Sequence, residues 1–162
     1  DKIVGEFDQY KEVIVPTVKF VTNDDVVAAG ENILSLYGFK NKPSLREDVK
    51  INEEIQKIFY SDQYVGVILK NTNSKFPYRI QVYDLNGNKK MEKEIKLEYD
   101  NVSFSGDNVL MYDDMNCQII SFDGVQKFKV TFNGAVNAII PIDGSRTFLI
   151  MTKSKIQKVK LK

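Results

Sequence analysis

Two pairs of adjacent carboxylates, Asp24-Asp25 and Asp113-Asp114, are the residues of this chain most suited to chemistry. Paired carboxylates flanking a glycosidic bond hydrolyse it, one as acid and the other as base or nucleophile. Both pairs fall where the pattern calls for hairpin turns, and there Asp is an ordinary residue because its carboxylate bonds nearby backbone. Asp84-Leu85-Asn86-Gly87-Asn88 has a calcium-like look, but the glycine offset and the distal glutamate of a calcium loop are wrong, so it reads as a plain turn. Cys117 is the single cysteine and excludes an intrachain disulfide; lying in a strand, it reads as a small buried hydrophobe. There is no histidine, which excludes Ser-His-Asp and Cys-His catalysis and His-ligated zinc within this chain. Lys153, Lys155, Lys158, Lys160 and Lys162 form a basic tail without an acid. It reads as a solvated edge strand, with a contact to acidic cell-wall polymer or lipid as the alternative. No residue is assigned as catalytic, cofactor-binding or metal-binding.

The elements that hold these residues repeat. Ile80 to Gly87 reads as an alternating strand, Ile-Gln-Val-Tyr, running into Asp-Leu-Asn-Gly turn chemistry. Gly87 is the residue that takes positive φ without steric cost. Ile119-Ile120-Ser121-Phe122-Asp123-Gly124 has the same order, Ile33 to Gly38 is a copy without the Asp, and Lys155 to Val159 is a truncated one. A second landmark precedes each copy: Val18-Lys19-Phe20, Ile58-Phe59-Tyr60, Val102-Ser103-Phe104 and Ala138-Ile139-Ile140. Each is followed by a polar turn and then by another apolar strand. Counted from Phe20 through Tyr60 and Phe104 to Ile140, the spacings are 40, 44 and 36 residues. Four strands recurring at this period point to propeller blades, and the fold class is all-β with about four antiparallel four-stranded blades.

Taken in order, residues 1–15 read as the tail of a preceding blade, and 17–53, 55–97, 100–132 and 136–162 as the repeat units of a single domain. Over Ser44–Phe59 a helix competes with strands, because Ser44 and Glu47 fit a capping box. Asn71 to Pro77 is a long hairpin loop, and Tyr112 to Asn116 a short one. The last unit reaches only three strands. The start at Asp1 without Met points to a processed or trimmed chain. Val65, Val67, Ile68, Val109, Leu110, Phe148, Leu149 and Ile150 are expected in the core, since blades sandwiched between neighbours are apolar on both faces.

The chain has 162 residues, 43% hydrophobic and 28% charged, as expected of a globular protein with a sizeable core. Its net charge of +1 offers no bulk electrostatic case for nucleic acid or an anionic membrane. No apolar run approaches the ~18 residues of a membrane span, and no signal peptide is visible.

At Tyr83-Asp84-Leu85-Asn86-Gly87 and Phe122-Asp123-Gly124 the sequence resembles the repeats of WD-like and quinoprotein-like β-propellers, although it has no tryptophan. The whole chain resembles the C-terminal half of a Gram-positive family of propeller-like proteins anchored by an N-terminal membrane segment. That resemblance implies an extracytoplasmic or cell-surface location and an interaction role, with no cofactor. The function expected is a non-enzymatic propeller segment that binds a protein or glycan through its loops. The alternatives are a glycosidase-like propeller using axial carboxylates and a purely structural scaffold. A homodimer that completes a larger propeller is also expected, the surplus N-terminal strand of one copy filling the unfinished last blade of the other.

Overall fold

The computed structural model describes residues 6–7, 17–72, 75–96, 99–143 and 146–160. The described residues are all-β, with four antiparallel sheets whose strands follow one another in sequence order. The chain divides into two compact units, residues 1–96 and 97–162.

The first unit holds two sheets of four strands. One is β1 (Thr17–Phe20), β2 (Asp25–Ala29), β3 (Ile33–Gly38) and β4 (Ser44–Lys50); the other is β5 (Ile55–Tyr60), β6 (Tyr64–Lys70), β7 (Tyr78–Asp84) and β8 (Lys89–Ile95). The capping-box reading of Ser44 and Glu47 gives way to strand pairing: Ser44 faces Gly38 and Glu47 faces Leu36 across β3 and β4. The middle strands are buried on successive residues, Val26 to Ala29 in β2 and Val65 to Leu69 in β6. Burial on both faces is what a sheet stacked between neighbours requires. One apolar cluster joins the two sheets, with Val27, Leu34 and Leu36 packed against Val65, Val67 and Leu69. The outer strands β4 and β8 are mostly exposed, and only Met91 and Ile95 of β8 turn fully inward.

The second unit holds β9 (Asn101–Phe104), β10 (Asn108–Tyr112), β11 (Asn116–Ser121) and β12 (Gln126–Thr131) in one sheet. Its other sheet has three described strands, β13 (Val136–Asp143), β14 (Thr147–Thr152) and β15 (Ile156–Lys160). Leu110, Cys117 and Ile119 pack against Val136, Ile139 and Phe148 in a second cluster. Of the eight core residues expected from sequence, six are buried; Leu149 and Ile150 are only half-buried. The reason lies in their sheet. Its last described strand, β15, is largely exposed, and β14 shares that lower burial from Leu149 onwards.

A shared irregularity marks the three four-stranded sheets. Where the third strand pairs the fourth, the register slips by one residue, between Leu36 and Tyr37, between Val82 and Tyr83, and between Ile119 and Ile120. The residues left unpaired on the fourth strand are Arg46, Lys90 and Lys127. A bulge turns its extra side chain out of the ladder, and all three of these reach an acid. Arg46 lies 2.5 Å from Asp25, Lys90 2.9 Å from Asp84 and Lys127 3.9 Å from Asp123. The partly buried Arg46–Asp25 and Lys90–Asp84 pairs contribute about 0–1 kcal/mol each.

The β7–β8 and β11–β12 hairpins close identically. Gly87 N–H donates to Asp84 C=O at 3.0 Å, and Asp84 N–H to Asn88 C=O at 3.0 Å. In the second hairpin Gly124 N–H donates to Ser121 C=O at 2.8 Å, and Ser121 N–H to Val125 C=O at 3.0 Å. Gly87 has φ 85° and Gly124 φ 80°, the left-handed conformation that completes a three-residue hairpin loop. The glycines and bulges therefore align Asp84 with Ser121 and Tyr83 with Ile120. The sequence copies, which match Tyr83-Asp84 to Phe122-Asp123, are offset by two residues.

Candidate functional site

The carboxylate pairs are turn devices. Asp25 opens β2; its Oδ2 accepts the Thr22 hydroxyl at 2.6 Å, and its Oδ1 faces the Arg46 guanidinium. Asp24 is exposed in the same turn, where its N–H donates to Thr22 Oγ1 at 3.1 Å. In the second unit, Asp113 Oδ1 accepts the N–H groups of Met115 and Asn116, both at 2.7 Å. The Asn116 amide adds bonds of 3.1 and 3.2 Å to its two oxygens. Partial burial pushes the Asp113 carboxyl up, but these donors together outweigh it and hold the group below the usual range. A glycosidase acid needs the opposite shift, a carboxyl kept protonated near neutrality. Asp114 is exposed, and its C=O accepts Val136 N–H at 2.8 Å to tie the hairpin to β13.

The calcium-like stretch has the same character. Asp84 Oδ1 accepts Asn86 N–H at 2.9 Å and Asn88 N–H at 3.0 Å, while Oδ2 takes the Asn88 amide and the Lys90 ammonium, both at 2.9 Å. Burial works against ionisation there, yet the Asn88 amide, Lys90 and the two N–H groups win and bring the carboxyl down to about 2. Its lone pairs face donors, where a cation would need them. Among the described residues no group of three or more Cys, Asp or Glu is placed to hold a metal ion. Cys117 is 2% exposed. Burial, with the Asp113 charge adding to it, pushes its thiol up to about 12. A nucleophilic cysteine is shifted the other way.

The concave polar surface lies elsewhere, on segments the sequence reading treats as connectors. In the first unit a cleft of about 560 Å³ runs between the β2–β3 turn and the 52–54 segment that leads into β5. Glu31, Glu53 and Glu54 line it together with the amides of Asn32, Asn52 and Gln56 and the ammonium of Lys57. Its two sides are pinned by backbone. Ile51 N–H donates to Asn32 C=O at 2.8 Å and joins the connector to the turn, which Gly30 N–H closes on Ile33 C=O at 2.8 Å. A second cleft of about 530 Å³ shares Asn52, Glu53 and Glu54 and adds Lys70, Asn71, Thr72 and Arg79. Arg79 lies 2.7 Å from Glu53, 3.5 Å from Glu92 and 3.7 Å from Glu94, which fixes Glu53 in the ridge between the clefts. Among the described residues, Glu31 and Glu54 form no ion pair. Three of these carboxyl-bearing side chains come from two separate turns, and nothing in their local spacing announces that they meet.

The second unit carries a different surface. Phe128, Phe132, Val136, Ile150 and Val159 line an apolar groove of about 580 Å³ beside β15, with Lys153 and Lys155 at its rim. No helix among the described residues is long and apolar enough to cross a membrane.

Several solved propellers share this architecture. BamB from Moraxella catarrhalis superposes with a TM-score of 0.61 at 14% identity, over 92% of this chain and 49% of that one. Saccharomyces cerevisiae Sqt1 gives 0.59 at 12% identity, over 92% and 43%. A chain of the Mitotic Checkpoint Complex gives 0.58 at 14%, over 91% and 46%. This chain therefore has a β-propeller fold and spans about half the length of the propellers it matches. At these identities the likeness is one of fold alone. No curated protein matches the sequence. The family model that does match, over residues 1–161, is described as a family of unknown function, DUF5711, and this chain belongs to that family.

Proposed function

We propose that this chain is a non-catalytic propeller segment that binds a protein or glycan through the loops of its first unit, at the cell surface. The observation that carries the reading is the pair of clefts sharing the 52–54 ridge. Their carboxylates and amides converge from turns on a rigid sheet scaffold, the arrangement in which loops recognise polar ligands. The residues suited to hydrolysis are engaged instead in their turns: Asp25 meets Thr22 and Arg46, and Asp113 is held ionised by donors from its own hairpin. The cell-surface assignment rests on the resemblance to anchored propeller-like proteins.

The test is an amide-resolved NMR titration of the full chain with a panel of neutral and cationic oligosaccharides and lysine-bearing peptides. The expected result is a saturable shift confined to residues 30–32 and 52–57, weakened by Glu31→Gln with Glu54→Gln. Turnover of an oligosaccharide, or binding mapped away from these turns, overturns the reading. Location is read by whether externally added protease cleaves the protein on intact cells.

A further inference from the structure

The repeat sets positions of the two units against each other. In the first unit two backbone bonds bound the connector 51–55: Ile51 N–H to Asn32 C=O at 2.8 Å and Ile55 N–H to Glu31 C=O at 3.5 Å. In the second unit Phe132 N–H to Met115 C=O at 2.6 Å and Val136 N–H to Asp114 C=O at 2.8 Å bound 132–136 in the same way. Each connector enters a strand that bulges at once, after Ile55 and after Val136. Counted from these bulges, Ile68 matches Met151 and Ile80 matches Ile156. Arg79, Gln81 and Tyr83 therefore correspond to Lys155, Gln157 and Val159, and Glu53 corresponds to Gly134. Side chains alternate along a strand, so the three residues of each set share one face.

In the first unit these four positions satisfy one another. Glu53 bridges from the connector to Arg79 at 2.7 Å. The Tyr83 ring fills the interior as part of the cluster between the two sheets, and its hydroxyl donates to Gln81 Oε1 at 2.8 Å. Burial, with the charges of Glu92 and Glu53 adding to it, pushes the Tyr83 phenol up, so the Glu53 carboxylate is felt at the ring.

In the second unit two of the four are missing. Gly134 brings no carboxylate, and no heavy atom lies within 4 Å of where its Cβ would stand. Val159 is shorter than tyrosine by a ring. The space left is the groove of about 580 Å³, with Phe128, Phe132 and Val159 on its apolar side and Gln157 and Lys155 on its polar side. Lys155 is exposed and, among the described residues, forms no ion pair. No acid lines the groove, and Lys153 adds a second positive charge to its rim. A fourth strand does not by itself close such a place, because the corresponding cleft of the first unit is open with β8 alongside.

We infer that this groove binds a small aromatic carboxylate, whose ring takes the space that Tyr83 fills in the first unit and whose carboxylate takes the part of Glu53. The ring packs on Phe128 and Phe132, the carboxylate pairs with Lys155, and the Gln157 amide is the polar partner beside them. An apolar wall with a few convergent polar groups of one sign selects an anion with an aromatic body over a neutral or cationic one. The site is separate from the polar clefts of the first unit and does not depend on how those are read.

The test is an amide-resolved NMR titration of the 162-residue chain with 2-naphthoate and with its neutral analogue 2-naphthamide. A saturable shift with naphthoate is expected, confined to residues 132–136 and 150–159, with the amide weaker by about five-fold or more. Lys155→Gln, a change at an exposed side chain, should bring naphthoate down to the level of the amide. Gly134→Glu should restore the bridge to Lys155 and block naphthoate, and its new Cβ enters open space, so the fold tolerates it. Val159→Tyr should block both probes by supplying the ring. No saturable shift at millimolar naphthoate, or shifts centred on the first unit, overturns the inference. Equal binding of acid and amide that ignores Lys155→Gln overturns it as well.

Discussion

Replacing Gly87 by Ala tests the link between the first two sheets. The structure sets two costs. At φ 85° an L side chain sits in the left-handed region, which costs about 1–2 kcal/mol. The new Cβ would also meet Glu47 Cγ, so the glutamate on β4 must leave its rotamer for about 0.5–1.5 kcal/mol, and it would lie 2.8 Å from Glu47 Cβ, which only a backbone shift relieves. The sum is about 1.5–3.5 kcal/mol, above the ~1 kcal/mol of an ordinary Gly→Ala mismatch. Urea unfolding followed by far-UV circular dichroism measures it, with amide exchange at residues 84–88 to assign the loss to the first unit. The double variant Glu47→Ala, Gly87→Ala isolates the Cγ part of the contact, because shortening the glutamate removes the Cγ that lies nearest the new methyl group and keeps the Cβ. The coupling should fall at about 0.5–1.5 kcal/mol. A cost for Gly87→Ala below about 0.5 kcal/mol, or one that Glu47→Ala leaves unchanged, refutes the reasoning.

Phe148→Ala should cost about 3–5 kcal/mol, because a 2%-exposed ring leaves a void between β14 and the sheet of β9–β12; thermal melts should show it as a large loss in the second unit. A Cβ at Gly66 would overlap the ring of Phe59 on the neighbouring strand, so Gly66→Ala should destabilise by about 1–3 kcal/mol, and Phe59→Leu in the same chain should recover part of it. The Asp84 carboxyl is held near 2 against an ordinary 3.8. The stability it adds is therefore present above pH 3.8 and is lost as pH falls towards 2; Asp84→Asn should flatten that part of a urea midpoint against pH profile, and an unchanged slope would show the carboxylate idle. Cys117, with its thiol at about 12, should react with an aromatic disulfide only as fast as the second unit opens, and rapid labelling of the native chain would contradict its burial.

The strands were legible because their sequences carry period two and β-branched or aromatic residues, and the turns because Asn-Gly and Asp-Gly have few other uses. Ser44 to Lys50 was the ambiguous strand. Leu45 and Val49 lie four apart, which suits a helix, and this outer strand has few apolar residues to argue otherwise. What decided its conformation was pairing with β3, where Ser35 hydroxyl donates to Asp48 and Val49 faces Leu34, contacts between separate strands that no local pattern reveals. The half-burial of Leu149 and Ile150 was illegible for a related reason. Their composition is that of core strands, and how deeply a strand is buried depends on what packs on its sheet, which composition does not name. The tail of a preceding blade read at residues 1–15 lies outside the described residues apart from Glu6 and Phe7.

The copies found in the sequence slipped by two residues because a two-residue shift is the error that strand geometry conceals. Side chains alternate, so moving Tyr83 from Ile120 to Phe122 preserves every inward and outward position and even improves the match of residue types. Only non-periodic features break the tie. The left-handed glycines do so, since Gly87 and Gly124 must each sit three residues after the residue that closes the hairpin. The bulges do so independently, placing Arg46, Lys90 and Lys127 at one position of the repeat. With that register, Lys90 reaches the closing residue Asp84, whereas Lys127 reaches Asp123 two positions further along, because Ser121 occupies the closing position and gives its hydroxyl to Asp123. The repeat thus holds the position of the cation constant and lets the acid move. The same logic makes the clefts illegible in the sequence: Glu31 and Glu54 belong to different turns, and what brings them together is the Ile51-to-Asn32 backbone bond, a contact written in neither residue.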